Sequence, residues 1–133
     1  MEPTYRIAVG TSDGKYVDEH FGQAGRFVIM DITRETGDVS IVEERLAPIP
    51  EGDGGCGGHN NALIAGKIGL LLDCQIVLVA KIGGKSEKFL LHNDIIPLQF
   101  EGDVESALER IKKAYKNRPF LRKIDDLHRT INS

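Results

Sequence analysis

The stretch QIVLVA, residues 75–80, constrains the fold more than any other part of the sequence. A short apolar run of this kind, bounded by polar residues, is typical of a strand that is buried on both faces of a parallel sheet. A helical pattern precedes it, beginning at Asn60 or Asn61 and ending near Asp73, and a shorter one follows over residues 86–93. This alternation of helix and strand predicts an α/β domain.

The remaining strands are predicted on either side of this unit. Toward the C-terminus, the pattern indicates a strand over residues 95–100 and an amphipathic helix over residues 103–116. Toward the N-terminus, it indicates a core strand over residues 5–10 and an antiparallel hairpin over residues 26–32 and 39–46. The second half of the chain predicts parallel crossovers, and the hairpin makes the sheet mixed. We therefore expect a mixed five-stranded sheet flanked by helices.

The length and composition fit one globular domain. The chain has 133 residues, of which 41% are hydrophobic and 28% are charged. These values are close to the average for globular domains, so they exclude the disordered and fibrous classes. We predict one domain over residues 1–116 and a tail over residues 117–133, where Pro119 breaks the preceding helix and a short helix can follow.

The sequence also bears on location and partners. It contains no apolar run near the roughly 20 residues that span a bilayer, and residues 1–6 lack a secretion-signal pattern. We therefore expect a cytoplasmic protein with no membrane partner. The formal net charge of -3 gives no signal for nucleic-acid binding, since a solvated helix face explains the basic residues near the C-terminus. Association into an oligomer is compatible with the sequence.

The most unusual segment is GDGGCGGH, residues 52–59, in which Cys56 and His59 lie among glycines. Ordering such a loop costs much backbone entropy, so a compensating ligand is expected. A thiolate and an imidazole are donors that iron, copper(I) and zinc prefer, and the flanking Gly55 and Gly57 let backbone amides approach a ligand closely. The pattern favours a metal or cluster site over the alternative, a flexible loop with an incidental thiol.

The ligand set of this loop is incomplete. A closed zinc site needs about four protein ligands, commonly from paired Cys-x-x-Cys elements, and the chain has no such pair. The other cysteine, Cys74, immediately precedes the buried strand and is expected to act as a small apolar core residue. An incomplete ligand set suits a carrier, which holds a preassembled cofactor at one or two points and later releases it.

Two further segments are candidates for the same site. His20, which follows the first strand, is either a metal ligand or a surface histidine that is hydrogen-bonded to Asp18 or Glu19. Gly83 and Gly84 precede a predicted helix. Either the amides of this glycine turn and the helix N-terminus hold an anion, or the glycines permit tight packing of the strand against the helix.

Four segments in order along the chain resemble the dinitrogenase iron-molybdenum cofactor biosynthesis family. They are IAVGTSDGKYVDEHFG, RFVIMDI, GGCGGH and EGDVESALERI, and the likeness runs over about residues 6–114. Its most specific parts are His20-Phe21-Gly22 and the Gly-Cys-Gly of residues 55–57. The resemblance implies a ribonuclease-H-like three-layer fold. It also implies a protein that is not an enzyme and that binds, stores or passes on iron-molybdenum cofactor or its iron-sulfur precursor.

The same resemblance implies which residues contact the cluster. It puts forward His20, Cys56 and His59 as metal-ligating positions. A carrier of this kind also implies partner proteins that donate and accept the metallocluster.

Two other functions remain as alternatives. One is a regulatory module whose edge strand and basic C-terminal helix bind a protein partner. The other is a metal-dependent nuclease on a ribonuclease-H-like scaffold, which requires converging carboxylates from Asp13, Asp31 and Asp73.

Overall fold

The computed structural model of the protein describes residues 4–47 and 60–115. The strands are β1 (Thr4–Gly10), β2 (Tyr16–Val17), β3 (Arg26–Thr33), β4 (Val39–Leu46), β5 (Ile76–Val79), β6 (Ile96–Gln99) and β7 (Gly102–Asp103). The helices are α1 (Asn60–Gly69), α2 (Gly84–His92) and α3 (Val104–Tyr115), with a single 3-10 turn at Phe21–Gln23. The predicted tail over residues 117–133 lies outside the described residues.

The central sheet has five strands in the order β4-β3-β1-β5-β6. β5 pairs in parallel with both β1 and β6, whereas β3 pairs antiparallel with both β1 and β4. β3 therefore runs opposite to the other four strands. The predicted mixed five-stranded sheet is confirmed, and so is the predicted hairpin. A small second sheet, β2 paired with β7, was not predicted because each of its strands has only two residues.

The core lies on both faces of the central sheet. Ile7 of β1 faces the layer that contains Leu108 of α3, whereas the next residue, Ala8, faces the layer that contains α1 and α2. Ile76 and Val77, neighbours in β5, are both fully buried on opposite faces. This alternation places one helix on one face and two on the other, which gives three layers.

Two helix boundaries differ from the predicted ones. α1 ends at Gly69 rather than near Asp73, because the N–H groups of Leu70 and Leu71 donate to carbonyls three residues back, and these tighter bonds end the α-helix. α2 begins at Gly84, two residues earlier than expected. None of the described helices is long and apolar enough to cross a membrane.

The parallel strands β1, β5 and β6 all end on one side of the sheet, at Gly10, Val79 and Gln99, which we call the carboxyl edge. β4 runs in the same direction and ends there too, where the N–H of Ala47 donates to the carbonyl of Gly25 at 2.9 Å. Because β4 and β5 are parallel in direction, α1 carries the chain back across the sheet between them. The carboxyl edge is where ligands bind in open α/β sheets.

Candidate functional site

His20 lies at the carboxyl edge, next to Lys81. The two residues form an isolated parallel bridge beyond the end of β5. The N–H of Ala80 donates to the carbonyl of Glu19 at 2.9 Å, and the N–H of Phe21 donates to that of Lys81 at 2.8 Å. The backbone on both sides of His20 is thus tied to the two residues that follow β5, while its imidazole is exposed.

The imidazole of His20 makes no hydrogen bond within residues 4–47 and 60–115. The carboxylate of Asp18 instead accepts from Ser12, through the backbone N–H at 2.9 Å and the hydroxyl at 2.6 Å. A hydrogen bond from His20 to Asp18 or Glu19, which the sequence allowed, is therefore not formed. Among the described residues, the exposed imidazole therefore has no hydrogen-bond partner.

Phe21 anchors the turn that follows His20. Its side chain is fully buried, and its ring centroid lies 5.9 Å from that of Phe27. The ring of Phe21 also lies 5.7 Å from the ammonium of Lys67 in α1. The aromatic side chain thus fixes the turn to the core that α1 and α2 share with the sheet.

Lys67 was not identified as a functional candidate from the sequence. Its side chain is only 1% exposed, and its Nζ donates to the carbonyl oxygens of Phe21 at 2.8 Å and Gly22 at 2.7 Å. Burial lowers the pKa of Lys67 to about 8, an effect that the nearby Glu19 partly opposes. The available signal was a lysine within the apolar stripe of α1, between Ile64 and Ile68.

The Gly83-Gly84 turn lies at the same edge and opens α2. Gly83 is the N-cap residue with extended backbone, and its carbonyl accepts from the N–H of Glu87 at 3.0 Å. Both glycines are exposed, and a Cβ added to either would meet no heavy atom within 4 Å. Tight packing of strand against helix therefore does not explain these glycines, and that interpretation is wrong.

Four predicted site residues lie outside the described residues: Gly55, Cys56, Gly57 and His59. The segment that contains them follows Ala47 and precedes the first residue of α1. Ala47 is tied to Gly25 in the same turn region that follows His20. The structure therefore brings His20 and the Gly83-Gly84 turn to one edge, where Ala47, the last described residue before the other candidates, also lies.

The second cysteine is a core residue. Cys74 is 2% exposed and belongs to the core under α1, and burial raises the pKa of its thiol to about 12. A thiol of this kind stays protonated and is a poor metal ligand. The prediction that Cys74 acts as a small apolar core residue is confirmed.

The three carboxylates that a nuclease would require do not converge. Asp31 and Asp73 both bind the guanidinium of Arg6 near the start of β1, at 2.7 and 2.6 Å. Asp13 lies beyond the other end of that strand, where its carboxylate accepts from the N–H of Lys15 at 2.8 Å. No group of three potential metal-binding side chains occurs within the described ranges.

A cavity of about 500 Å³ lies at the opposite edge of the sheet, between α3 and the turn after β3. Its lining includes Tyr5, Thr36 and Lys112. Tyr5 is at the start of β1, whereas His20 lies beyond its end. None of the described candidate residues lines this cavity, so it does not belong to the candidate site.

Comparison with known proteins agrees with this architecture. A sequence profile described as dinitrogenase iron-molybdenum cofactor matches residues 3–114. The chain belongs to the dinitrogenase iron-molybdenum cofactor family. The match covers both described parts of the chain except its last residue, so the family domain includes the carboxyl edge and His20.

Two of the relatives that the chain resembles are named FeMo cofactor biosynthesis proteins. The FeMo cofactor biosynthesis protein NifB of Chlorobaculum tepidum is 31% identical over 102 residues, which are 77% of this chain and 22% of that protein. NifB of Azotobacter vinelandii is 32% identical over 108 residues, which are 81% of this chain and 20% of that protein. The chain thus spans about a fifth of the length of these relatives. Protein NifX of Sinorhizobium fredii is 27% identical over 123 residues, which are 90% of this chain and 76% of that protein.

Solved structures share the fold of this family member. The crystal structure of PH0822 is 22% identical with a TM-score of 0.61, covering 82% of this chain and 91% of that chain. The crystal structure of mj0327 from Methanocaldococcus jannaschii is 14% identical with a TM-score of 0.56, covering 84% of this chain and 91% of that chain. At these identities the likeness concerns the fold alone.

Proposed function

We propose that this family member is a non-catalytic carrier of iron-molybdenum cofactor or of an iron-sulfur precursor cluster during cofactor assembly. Family membership supports a role in this process. The match with protein NifX extends over most of both chains, at 90% of this chain and 76% of that protein. The two NifB relatives are much longer, so any catalytic step of NifB is not transferred to this chain.

The observation that carries the proposal is the placement of His20. Its imidazole is exposed and makes no hydrogen bond in the described part of the chain, although its backbone is fixed at the carboxyl edge. We propose His20, Cys56 and His59 as the cluster ligands, since imidazole and thiolate are the donors that iron prefers. With three protein ligands, the other metal positions of the cluster would stay open to an acceptor protein.

Backbone amides complete the proposed site. The glycine turn at Gly83 and Gly84 has open space where side chains would stand, and it opens a nine-residue helix at the same edge. Amides of this turn, and those of Gly55 and Gly57, are proposed to bind the negative charge of the cluster.

We also infer the type of fold, the domain boundaries and the partner proteins. A sheet in which only β3 is reversed, with helices on both faces, supports a ribonuclease-H-like three-layer fold. We infer one carrier domain over residues 1–116, followed by a tail, in a cytoplasmic protein. Its partners are the proteins that donate the metallocluster and accept it.

Anaerobic binding tests this function. Purified protein is mixed with isolated iron-molybdenum cofactor or with an iron-sulfur cluster preparation, and bound iron and sulfide are measured after gel filtration. We expect a brown stoichiometric complex that Cys56→Ala and His20→Ala weaken strongly. Cys74→Ala is the matched control and binds like the wild type, because that thiol is buried. Wild-type protein that binds no cluster refutes the carrier function, and equal binding by Cys56→Ala refutes the site.

A regulatory interaction module is the second candidate, and the exposed edge strand β4 favours it. Ile41 and Leu46 of this strand are 71% and 76% exposed. An edge strand with exposed apolar side chains is suited to pairing with another protein. Deletion of residues 52–59 separates the two candidates. If a partner protein binds the deletion variant as tightly as the wild type, the interaction module is supported. If the deletion variant no longer binds the cluster, the carrier is supported.

A further inference from the structure

Lys67 is a buried cation that forms no ion pair with a carboxylate of residues 4–47 or 60–115. It occupies a core-facing position of α1 and is 1% exposed. No carboxylate lies within ion-pair distance of its ammonium among the residues that the structure describes. Glu19 acts on it only as a more distant charge. An apolar side chain would fill this position at lower cost, since burying a charge requires desolvation.

Within the part of the chain that the structure describes, the ammonium of Lys67 donates hydrogen bonds to backbone carbonyls alone. Its two acceptors, the carbonyl oxygens of Phe21 and Gly22, are 2.8 and 2.7 Å away, and both belong to the turn immediately after His20. The carbonyl of Phe21 also accepts from the N–H of Ala24 at 3.3 Å. Lys67 therefore links α1 to a turn that is more than forty residues away in sequence, through two charge-assisted hydrogen bonds.

The hydrogen bonds of Lys67 hold the segment around His20 from a second direction, in addition to the backbone bonds to the residues after β5. On one side, the backbone bonds of Glu19 and Phe21 tie His20 to the end of β5. On the other side, Lys67 holds the carbonyls of the two following residues against α1. The orientation of an exposed metal-ligating side chain depends on the contacts that hold its backbone and its neighbours in place.

We propose that Lys67 is a positioning residue of the carrier site, holding the His20-Phe21-Gly22 turn in the orientation in which His20 meets the cargo. The inference rests on the proposed function, since it assigns the buried ammonium to the site that binds the cluster. Lys67 does not touch the cargo. It acts through the two carbonyl oxygens, and its positive charge beneath the turn also favours an anionic cargo over a cationic one.

Lys67→Met tests the role, because Met has similar length and no charge or donor. Two controls accompany it. Ile68→Val disturbs the packing of the same helix but leaves both carbonyl bonds in place. Lys88→Met removes one positive charge from an exposed position of α2. All three variants are first compared with the wild type by circular dichroism, so that only folded proteins are tested further.

The first measurement is amide hydrogen exchange without any cargo. We expect the amides of Gln23 and Ala24, which bond within the turn, to exchange about tenfold faster in Lys67→Met, the effect of losing roughly one hydrogen bond. The amides of β1 and β5 keep their protection. Ile68→Val and Lys88→Met leave the turn unchanged. Wild-type exchange rates at Gln23 and Ala24 in Lys67→Met overturn the proposal.

The second measurement is affinity for an anaerobically prepared iron-sulfur cluster. We expect Lys67→Met to bind about tenfold more weakly than the wild type, as is usual when a residue that supports a metal ligand is removed. Both controls bind like the wild type. Equal binding by Lys67→Met and the wild type overturns the positioning role. If the wild type itself binds no cluster, the carrier function fails, while the exchange measurement still decides whether Lys67 orders the turn.

Discussion

Arg45 and Asp73 form a bidentate ion pair, with Nη1–Oδ1 at 2.7 Å and Nη2–Oδ2 at 2.8 Å. Asp73 also accepts from Nη1 of Arg6 at 2.6 Å, and Arg6 in turn binds Asp31. The network joins β4, β1 and β3 to the turn between α1 and β5. It therefore anchors the turn that follows α1, the helix that carries Lys67.

Asp73→Asn should destabilise the protein by about 1–2 kcal/mol near neutral pH, because it weakens three charge-assisted hydrogen bonds on a partly exposed carboxylate. Arg45, and then Arg6, hold the pKa of Asp73 well below its ordinary value of 3.8. The stabilisation is thus present above that value and is lost as the pH falls further. Urea unfolding at neutral and acidic pH measures both effects.

Asp38→Asn is the matched control for this substitution, because Asp38 is exposed in the turn between β3 and β4. Its stability should stay close to that of the wild type at each pH. If Asp73→Asn lowers the free energy of unfolding by the same amount at acidic pH as at neutral pH, the assigned ion pairs are contradicted.

Gly10→Ala should cost about 1–3 kcal/mol, because an added Cβ overpacks the end of β1. The new atom would lie 2.9 Å from Cγ1 of Val79 and 3.3 Å from Cβ of Glu19. Gly69→Ala is the control, since no heavy atom lies within 4 Å of the corresponding position. Thermal unfolding compares the two variants. Equal stability of both would show that the space around Gly10 tolerates a Cβ atom.

The five strands of the central sheet and the three α-helices were predictable because their residues repeat with the periods of buried strands and amphipathic helices. QIVLVA predicted a strand buried on both faces, and β5 is such a strand. The hairpin of β3 and β4 followed from β-branched segments separated by Gly37, whose φ is +79° in the structure. These signals are local, so one sequence suffices to detect them.

The support of the site was not predictable, because its contacts join residues far apart in the chain. The bridge between His20 and Lys81 depends on where β5 ends, and Lys67 depends on carbonyls of the His20 turn. Lys67 was visible as a lysine in an apolar stripe, but a lysine there often reaches solvent along its aliphatic stem. Only the tertiary structure distinguishes these cases.

Alkylation should show that the thiol of Cys74 is buried. In Cys56→Ala the remaining thiol is Cys74, which is 2% exposed and whose pKa burial raises to about 12. We expect iodoacetamide to modify this variant very slowly while it is folded and rapidly in denaturant, because the thiolate is the reactive form. Mass spectrometry follows the reaction. Rapid alkylation of the folded variant would contradict the buried position of Cys74.

Lys67→Met should also remove a pH dependence of stability. Burial lowers the pKa of Lys67 to about 8 in the folded protein, whereas its ordinary value is 10.5. Between these values the unfolded chain binds more protons, so the free energy of unfolding of the wild type should rise with pH relative to the variant. The neutral amine keeps two N–H groups, enough for the carbonyls of Phe21 and Gly22. Urea titrations from pH about 7 to about 10 measure the difference, and a constant difference over this range would mean that the ammonium is not desolvated.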